Sequence, residues 1–264
     1  MSQTFNSIAP AVYIVGAGPG DPALLTVRAS QLLAQADVIL FADSLVPRQI
    51  LAQARADAEI IATGNKTLEE IVEITIDRVR NGKSVVRLHS GDPTLYGAIH
   101  EQMQALRAAE IPFEVVPGIS AFQAAAAKLQ VELTVPELVQ TIILTRSSGL
   151  ASAVPESEEL ASLAAHRASL CLYLSARHVE RAQTQLLEHY PSDTPVAVCY
   201  RLGWPDEQIW IVPLHEMAAM TEAEQLIRTT LYVISPALAG TAQTARSRLY
   251  HPEHQHLFRP ARAV

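Results

Sequence analysis

The chain has 264 residues, of which 49% are hydrophobic and 18% charged. That excludes an intrinsically disordered chain and leaves room for one large domain or two of middling size. A net charge of -7 and an aromatic content of 5% argue against a protein living on bulk phosphate contacts or on a base-stacking platform, so no nucleic-acid partner is expected.

The start, MSQTFNSIAP, has no basic stretch followed by an apolar core, and no run nears the ~18 apolar residues of a membrane span. A cytoplasmic protein without a membrane partner is therefore expected. Cys171 and Cys199 sit in apolar runs without CxxC spacing and read as buried reduced thiols.

In chain order, VYIV (12–15) reads as a strand, 26–35 as a helix, VILF (38–41) as a strand, and 47–53 as a short helix before the strand EIIA (59–62). LEEIVEITIDRVRNG (68–82) has apolar residues at helical spacing and stops at Gly82. The strand SVVRL (84–88), a helix over 96–110, the strand FEVV (113–116) and an Ala-rich helix over 120–129 follow. This β-α alternation with continuously apolar strands predicts an α/β fold whose first half is a mostly parallel sheet covered on both faces. After a pause at 131–140 the strands TIILT (141–145), LCLYL (170–174), PVAVCY (195–200), QIWIVP (208–213) and TLYVIS (230–235) have fewer helices between them. The expected organisation is an N-terminal α/β lobe over 10–135, a C-terminal mixed α/β lobe over 140–240 and an arm over 241–264. An antiparallel pair is expected around the turn GWPDE, and a mobile loop over 147–159.

Three strand ends run into loops rich in Gly and Pro: Gly16–Pro22, His89–Gly97 and Val116–Ala121. In open parallel sheets ligands bind beyond the carboxyl ends of strands, where small residues let the backbone approach. The first loop is not GxGxxG, and Pro19 lacks an N–H where a phosphate cradle wants donors. A dinucleotide, another nucleotide-like ligand and a purely structural turn all remain open on spacing alone. Asp92 is either a ligand acceptor or a helix cap, and Asp43 likewise is either a working acid or a cap.

VGAGPGDPALLT, ADSLV, GDPTLYG, VPGISA and LTR together resemble the tetrapyrrole methylases, which methylate uroporphyrinogen and corrin precursors with S-adenosylmethionine. YRLGWPDE (200–207) and LYHPEHQHLFR (249–259) are similar to the subgroup acting on C-11 of precorrin-4 or its cobalt form. The resemblance implies a two-lobed tetrapyrrole methylase fold, a homodimer, S-adenosylmethionine as methyl donor held between the lobes, and a tetrapyrrole substrate. Motif by motif, it places donor contacts on Pro19, Gly91, Asp92, Pro93, Tyr96, Ser120, Ala121, Leu174, Leu202, Gly203, Thr230 and Leu231. It makes Asp43 the candidate general base. The chain departs from the subgroup after Thr145-Arg146, where a Gly-Arg-Thr run is usual and Gly149 is followed by Leu150 and Ala151.

Corrin precursors carry several carboxylates, so an acidic protein needs local positive charge, for which arginine is the natural bidentate partner. Arg28, Arg48, Lys66, Arg146 and Arg201 are candidates, with Lys66, Arg146 and Arg201 taken as the substrate-binding set. No HExxH, GxSxG or zinc spacing is present. His251, His254 and His256 form a short tract that reads as a polar arm rather than a metal site. His89 and His100 read as structural or lining. The competing functions are methylation at another ring position, at C-2/C-7, C-17 or C-20, a fold relative acting on a macromolecule, and a non-catalytic dinucleotide-binding module.

Overall fold

Five short runs rich in Val and Ile build the first sheet: β1 (Val12–Gly16), β2 (Val38–Phe41), β3 (Glu59–Ala62), β4 (Val85–His89) and β5 (Phe113–Val116). The structure is a computed structural model that describes residues 8–148, 153–240, 254, 255, 257 and 259. The sheet order is β3-β2-β4-β1-β5, and every pairing in it is parallel. Side chains alternate across the sheet. Tyr13, Val15, Ile39, Phe41, Val86 and Leu88 pack on one face with helix α1 (Val27–Leu33), while Val12, Ile14, Val38, Leu40 and Val85 pack on the other against helices α2 (Leu68–Arg80) and α3 (Ile99–Ala108). Ile14 and Leu40 are fully buried, and each such side chain contributes about 1.5–3 kcal/mol.

Side chains cap the starts of two of these helices. Thr26 Oγ1 accepts from the Ala29 amide at the start of α1. Thr67 and Glu70 form a reciprocal capping box on α2. One start differs: α3 begins at Ile99 rather than at Tyr96, because Tyr96 and Ala98 hold φ of 58° and 48°, which helical backbone excludes.

The chain divides into two units. The first takes the residues up to Ala125 together with Tyr200–Gln208; the second takes Ala126–Cys199 and the chain from Ile209 on. Helix α4 (Ala121–Leu129) spans the change between them.

The second unit is built on β6 (Ile142–Arg146), β7 (Ser169–Tyr173), β8 (Pro195–Tyr200), β9 (Gln208–Pro213) and β10 (Thr230–Ile234), in the order β6-β7-β10-β8-β9. β6 and β7 run parallel and β7 and β10 antiparallel, so this sheet is mixed. Helices α5 (Leu160–Ala164), α6 (Val179–Leu187) and α7 (Met217–Ala223) belong to it. Among its buried polar groups, Ser169 Oγ meets Ser235 Oγ and the Leu133 carbonyl, each at 2.7 Å. Cys171 and Cys199 form no disulfide and are buried. Among the described residues no helix is long and apolar enough to cross a membrane. The arm over 241–264, apart from residues 254, 255, 257 and 259, lies outside the described residues, as do His251, His256 and the departure at Gly149–Ala151.

Candidate active site

In the first unit the sheet order places β4, β1 and β5 side by side, so the three Gly/Pro loops leave adjacent carboxyl ends. They are fastened to one another. Gly18 N–H donates to the Gly91 carbonyl at 3.2 Å and Gly91 N–H to the Gly18 carbonyl at 2.7 Å. Gly18 and Gly91 hold φ of 67° and 65°, where glycine alone is unstrained. Gly16, Gly91 and Gly118, one per loop, touch: a Cβ on Gly118 would lie 2.3 Å from the Gly91 carbonyl oxygen and 2.8 Å from Gly16 Cα.

Asp92 completes the fastening. One carboxylate oxygen accepts from the Gly118 amide at 2.9 Å, and the other accepts from the Thr94 amide at 2.8 Å and from the Thr94 hydroxyl. Burial by itself would raise this carboxyl, but the bonds from Thr94 and Gly118 outweigh it and hold the group below the usual carboxylate range. Asp92 thus cross-links the loops after β4 and β5, and its helix-cap reading gives way to this role. Pro19, Gly91 and Pro93 are buried, Ser120 is buried with its amide bonded to Gln123, and Tyr96 is 41% exposed.

The segment Tyr200–Gln208 lies on the first of these loops. A Cβ on Gly20 would meet Trp204 Cδ1 at 2.7 Å and the Leu202 carbonyl at 3.0 Å. Gln49, which carried no signal in the sequence, joins the two stretches: its Nε2 donates to the Gly20 carbonyl at 2.7 Å and to the Gly203 carbonyl at 2.8 Å. Gln49→Leu keeps most of the volume and strands both carbonyls. It is expected to lower stability by about 1–3 kcal/mol in urea unfolding.

Arg201 is held within the same segment. It ion-pairs with Asp206, and its guanidinium carbon lies 5.2 Å from the Tyr200 ring centre and 4.9 Å from that of Trp204. Arg28 is engaged with Glu114 at 2.9 Å on the surface.

Beyond β2 and β3 lies a second cluster of the first unit. Asp43 is exposed, and one carboxylate oxygen accepts from the Gly64 amide at 2.9 Å. Lys66, half-buried, shares that turn, its amide donating to the Thr63 carbonyl at 3.2 Å. On β4, Arg87 and His89 are buried, and burial pushes Arg87 down to about 10, which leaves it charged at neutral pH. His89 is pushed down to about 3 by burial and by the Arg87 charge, against a hydrogen bond to the Gly97 backbone.

His89 has a consequence for acid stability. Above its unfolded value of about 6.5 both states are neutral; between that and about 3 only the unfolded chain takes up the proton, so stability falls as pH drops. The slope is up to about 1.4 kcal/mol per pH unit. A His89→Gln variant is expected to show a flatter decline across that window when denaturant unfolding is repeated at several pH values.

The second unit gathers its own strand-end residues. Arg146 ends β6 opposite Tyr173 of β7, and the β7/β10 register, continued two pairs past Tyr232↔Leu172, sets Leu174 against Thr230. Arg146 Nη2 reaches the Ala153 carbonyl at 3.4 Å. Leu174 is 66% exposed at φ 53°. Thr230 and Leu231 are buried at the start of β10. Among the described residues no group of three or more His, Cys, Asp and Glu is placed to hold a metal ion.

Comparison with known proteins places these features in context. The model of the Tetrapyrrole (Corrin/Porphyrin) Methylases matches residues 11–218. A precorrin-4 C(11)-methyltransferase of Pseudomonas aeruginosa is 45% identical over 94% of this chain and 98% of that one. A cobalt-precorrin-4 C(11)-methyltransferase of Priestia megaterium is 41% identical over 94% of this chain and 97% of that one. Among solved structures, the X-ray structure of a cobalt precorrin-4 methyltransferase of cobalamin biosynthesis aligns with a TM-score of 0.83 and 42% identity, covering 87% of this chain and 96% of that one. A uroporphyrin-III C-methyl transferase from Thermus thermophilus, complexed with S-adenyl homocysteine, aligns at 0.73 and 28% identity, covering 86% and 98%.

Proposed function

We propose that this chain, which belongs to the tetrapyrrole (corrin/porphyrin) methylase family, transfers a methyl group from S-adenosylmethionine to C-11 of precorrin-4 or cobalt-precorrin-4 in cobalamin biosynthesis. The carrying observation is the gradient of likeness. Among solved structures the cobalt precorrin-4 methyltransferase is 42% identical, against 28–31% for the uroporphyrin-III enzymes, and a relative named for C(11) methylation reaches 45% over nearly the whole chain.

The loops suit such a donor. Their residues are small, their backbone is bare at Gly18 and Gly91, and the Asp92 carboxylate is already consumed by Thr94 and Gly118, so no unmatched negative charge is left for an adenosyl ligand to bury. S-adenosylmethionine would supply a methyl group already activated by a positively charged sulfur. The protein's task is then alignment, and rigid cross-linked loops provide it. Pro19, Gly91, Pro93, Tyr96, Ser120, Ala121, Leu202 and Gly203 are the proposed donor contacts of the first unit, with Asp92 holding the loops in place. Leu174, Thr230 and Leu231 are those of the second.

In the step itself the bond from sulfur to the methyl carbon breaks, its electron pair stays on sulfur, and the new carbon–carbon bond forms at C-11. Asp43, exposed beside the Gly64 turn, is the proposed acceptor of the proton that the macrocycle gives up. Lys66 and Arg146 are proposed partners for the macrocycle's carboxylates, and Arg201 a third that shares its charge with Asp206. A homodimer is proposed too: Ile211, 56% exposed on the edge strand β9, offers apolar area for it. Two buried thiols that form no disulfide accord with a cytoplasmic, reducing setting.

Incubation with S-adenosylmethionine and precorrin-4 tests the reading. The expected product gains the mass of one methylene unit, as hydrogen is replaced by methyl. An unchanged macrocycle with tight binding of NAD in calorimetry would favour the dinucleotide-binding module instead.

A further inference from the structure

We propose that Arg87 is a positioning residue for Asp43, acting through the Thr63 hydroxyl and the Gly64 amide; this rests on the reading of Asp43 as proton acceptor. Arg87 stands on β4, in register with Ile14 of β1 and Leu40 of β2. By strand alternation it shares the face of Val85, which packs with Val12, Ile14, Val38 and Leu40. It is 7% exposed and forms no ion pair among the described residues. Its Nε is buried without a partner there, and its Nη1 donates to Thr63 Oγ1 at 3.0 Å. A buried cation with one neutral acceptor does not stabilise a sheet; an aliphatic side chain would do better at this position.

What Arg87 reaches explains the choice. Thr63 follows the end of β3, two strands from β4, across β2. Neighbouring strands lie roughly 4.8 Å apart, so only a long side chain spans that gap. Thr63 is itself tied down: its amide donates to the Phe41 carbonyl at 2.9 Å, and its carbonyl accepts from the Lys66 amide at 3.2 Å. Between those anchors Gly64 points its N–H at Asp43, 2.9 Å away. A Cβ on Gly64 would sit 2.6 Å from that carboxylate oxygen, so a side chain there would push the carboxylate out of this position. Asp43 is exposed, and a carboxylate on a loop samples several rotamers unless something orients it. The chain Arg87 to Thr63 to Gly64 to Asp43 does so from the buried side of the sheet, where solvent does not weaken the first link.

Two conservative changes test the inference. Thr63→Val removes the acceptor at nearly constant volume, and Thr63→Ser retains it. Thr63→Val is expected to lower kcat about tenfold or more, since small misplacements of a reacting group cost up to ~100-fold. KM and S-adenosylhomocysteine affinity are expected to stay within about twofold, and Thr63→Ser to restore the parental kcat within the same range. Amide exchange of Gly64 by NMR is expected to quicken in both Thr63→Val and Arg87→Met, while protection of the β1 amides is kept as proof of folding. Parental kcat and Gly64 protection in Thr63→Val would overturn the proposal. An Asp43→Asn variant separates the two claims. If it keeps full turnover, the proton-acceptor reading fails and the catalytic half of this inference fails with it, while Gly64 exchange still decides whether Arg87 anchors the turn. If it loses turnover and Gly64 exchange is unchanged in both variants, the anchoring alone is wrong.

Discussion

Asp43→Asn is expected to lower turnover by roughly 100-fold or more, the range of general acid–base contributions, with S-adenosylhomocysteine affinity unchanged. The geometry makes this a clean substitution. The carboxamide oxygen of asparagine still accepts from the Gly64 amide that Asp43 accepts from at 2.9 Å, so the turn keeps its shape and only the capacity to take a proton is lost. Asp43→Ala removes the bond as well and is expected to loosen the turn in addition. Steady-state rates beside calorimetric binding check both variants. Full turnover by Asp43→Asn would assign the proton to solvent or to another group.

Gly118→Ala is the second large effect expected. The added Cβ meets backbone atoms, the Gly91 carbonyl oxygen at 2.3 Å and Gly16 Cα at 2.8 Å, and backbone cannot step aside as a flexible side chain can. The loops after β1, β4 and β5 must then part, breaking the Asp92–Gly118 link. Overpacking of this kind costs about 1–3 kcal/mol or more. If that strain falls on the proposed donor loops, affinity for S-adenosylhomocysteine is expected to drop at least about tenfold, as every 1.4 kcal/mol is a factor of ten. Gly82→Ala is the control. It has φ 76° and no neighbour within 4 Å, so it loses stability through backbone strain alone and keeps donor binding. Equal binding loss in both variants would mean that the loops respond to global stability rather than to their own packing.

The fold was legible wherever β-branched runs are continuous. VYIV, VILF, EIIA, FEVV, PVAVCY and QIWIVP fall within strands of the structure with edges shifted by a residue at most. What escaped was non-local or unmarked. Tyr96 and Ala98 adopt left-handed backbone that neither residue type advertises, so the helix after GDPTLYG was started three residues early. Tyr200–Gln208 follows a strand of the second sheet yet belongs to the first unit, an association that no periodicity carries. Gln49 looks like any polar helix residue until its amide is seen between two carbonyls. Arg87 sits in an apolar run, SVVRL, where a single charge reads as a strand edge rather than as a buried anchor. The Gly/Pro loops were legible as places of close backbone approach because glycine and proline leave a backbone signature in the residue names themselves. Arg201 was legible as a charge but not as one paired with Asp206, since pairing across a five-residue turn depends on the turn's shape.

The most direct measurement is carbon NMR of the macrocycle formed from precorrin-4 and S-adenosylmethionine carrying a carbon-13 methyl group. One enriched methyl signal coupled to C-11 is the predicted result. An enriched methyl at any other ring position, or none with an intact donor, would contradict the account.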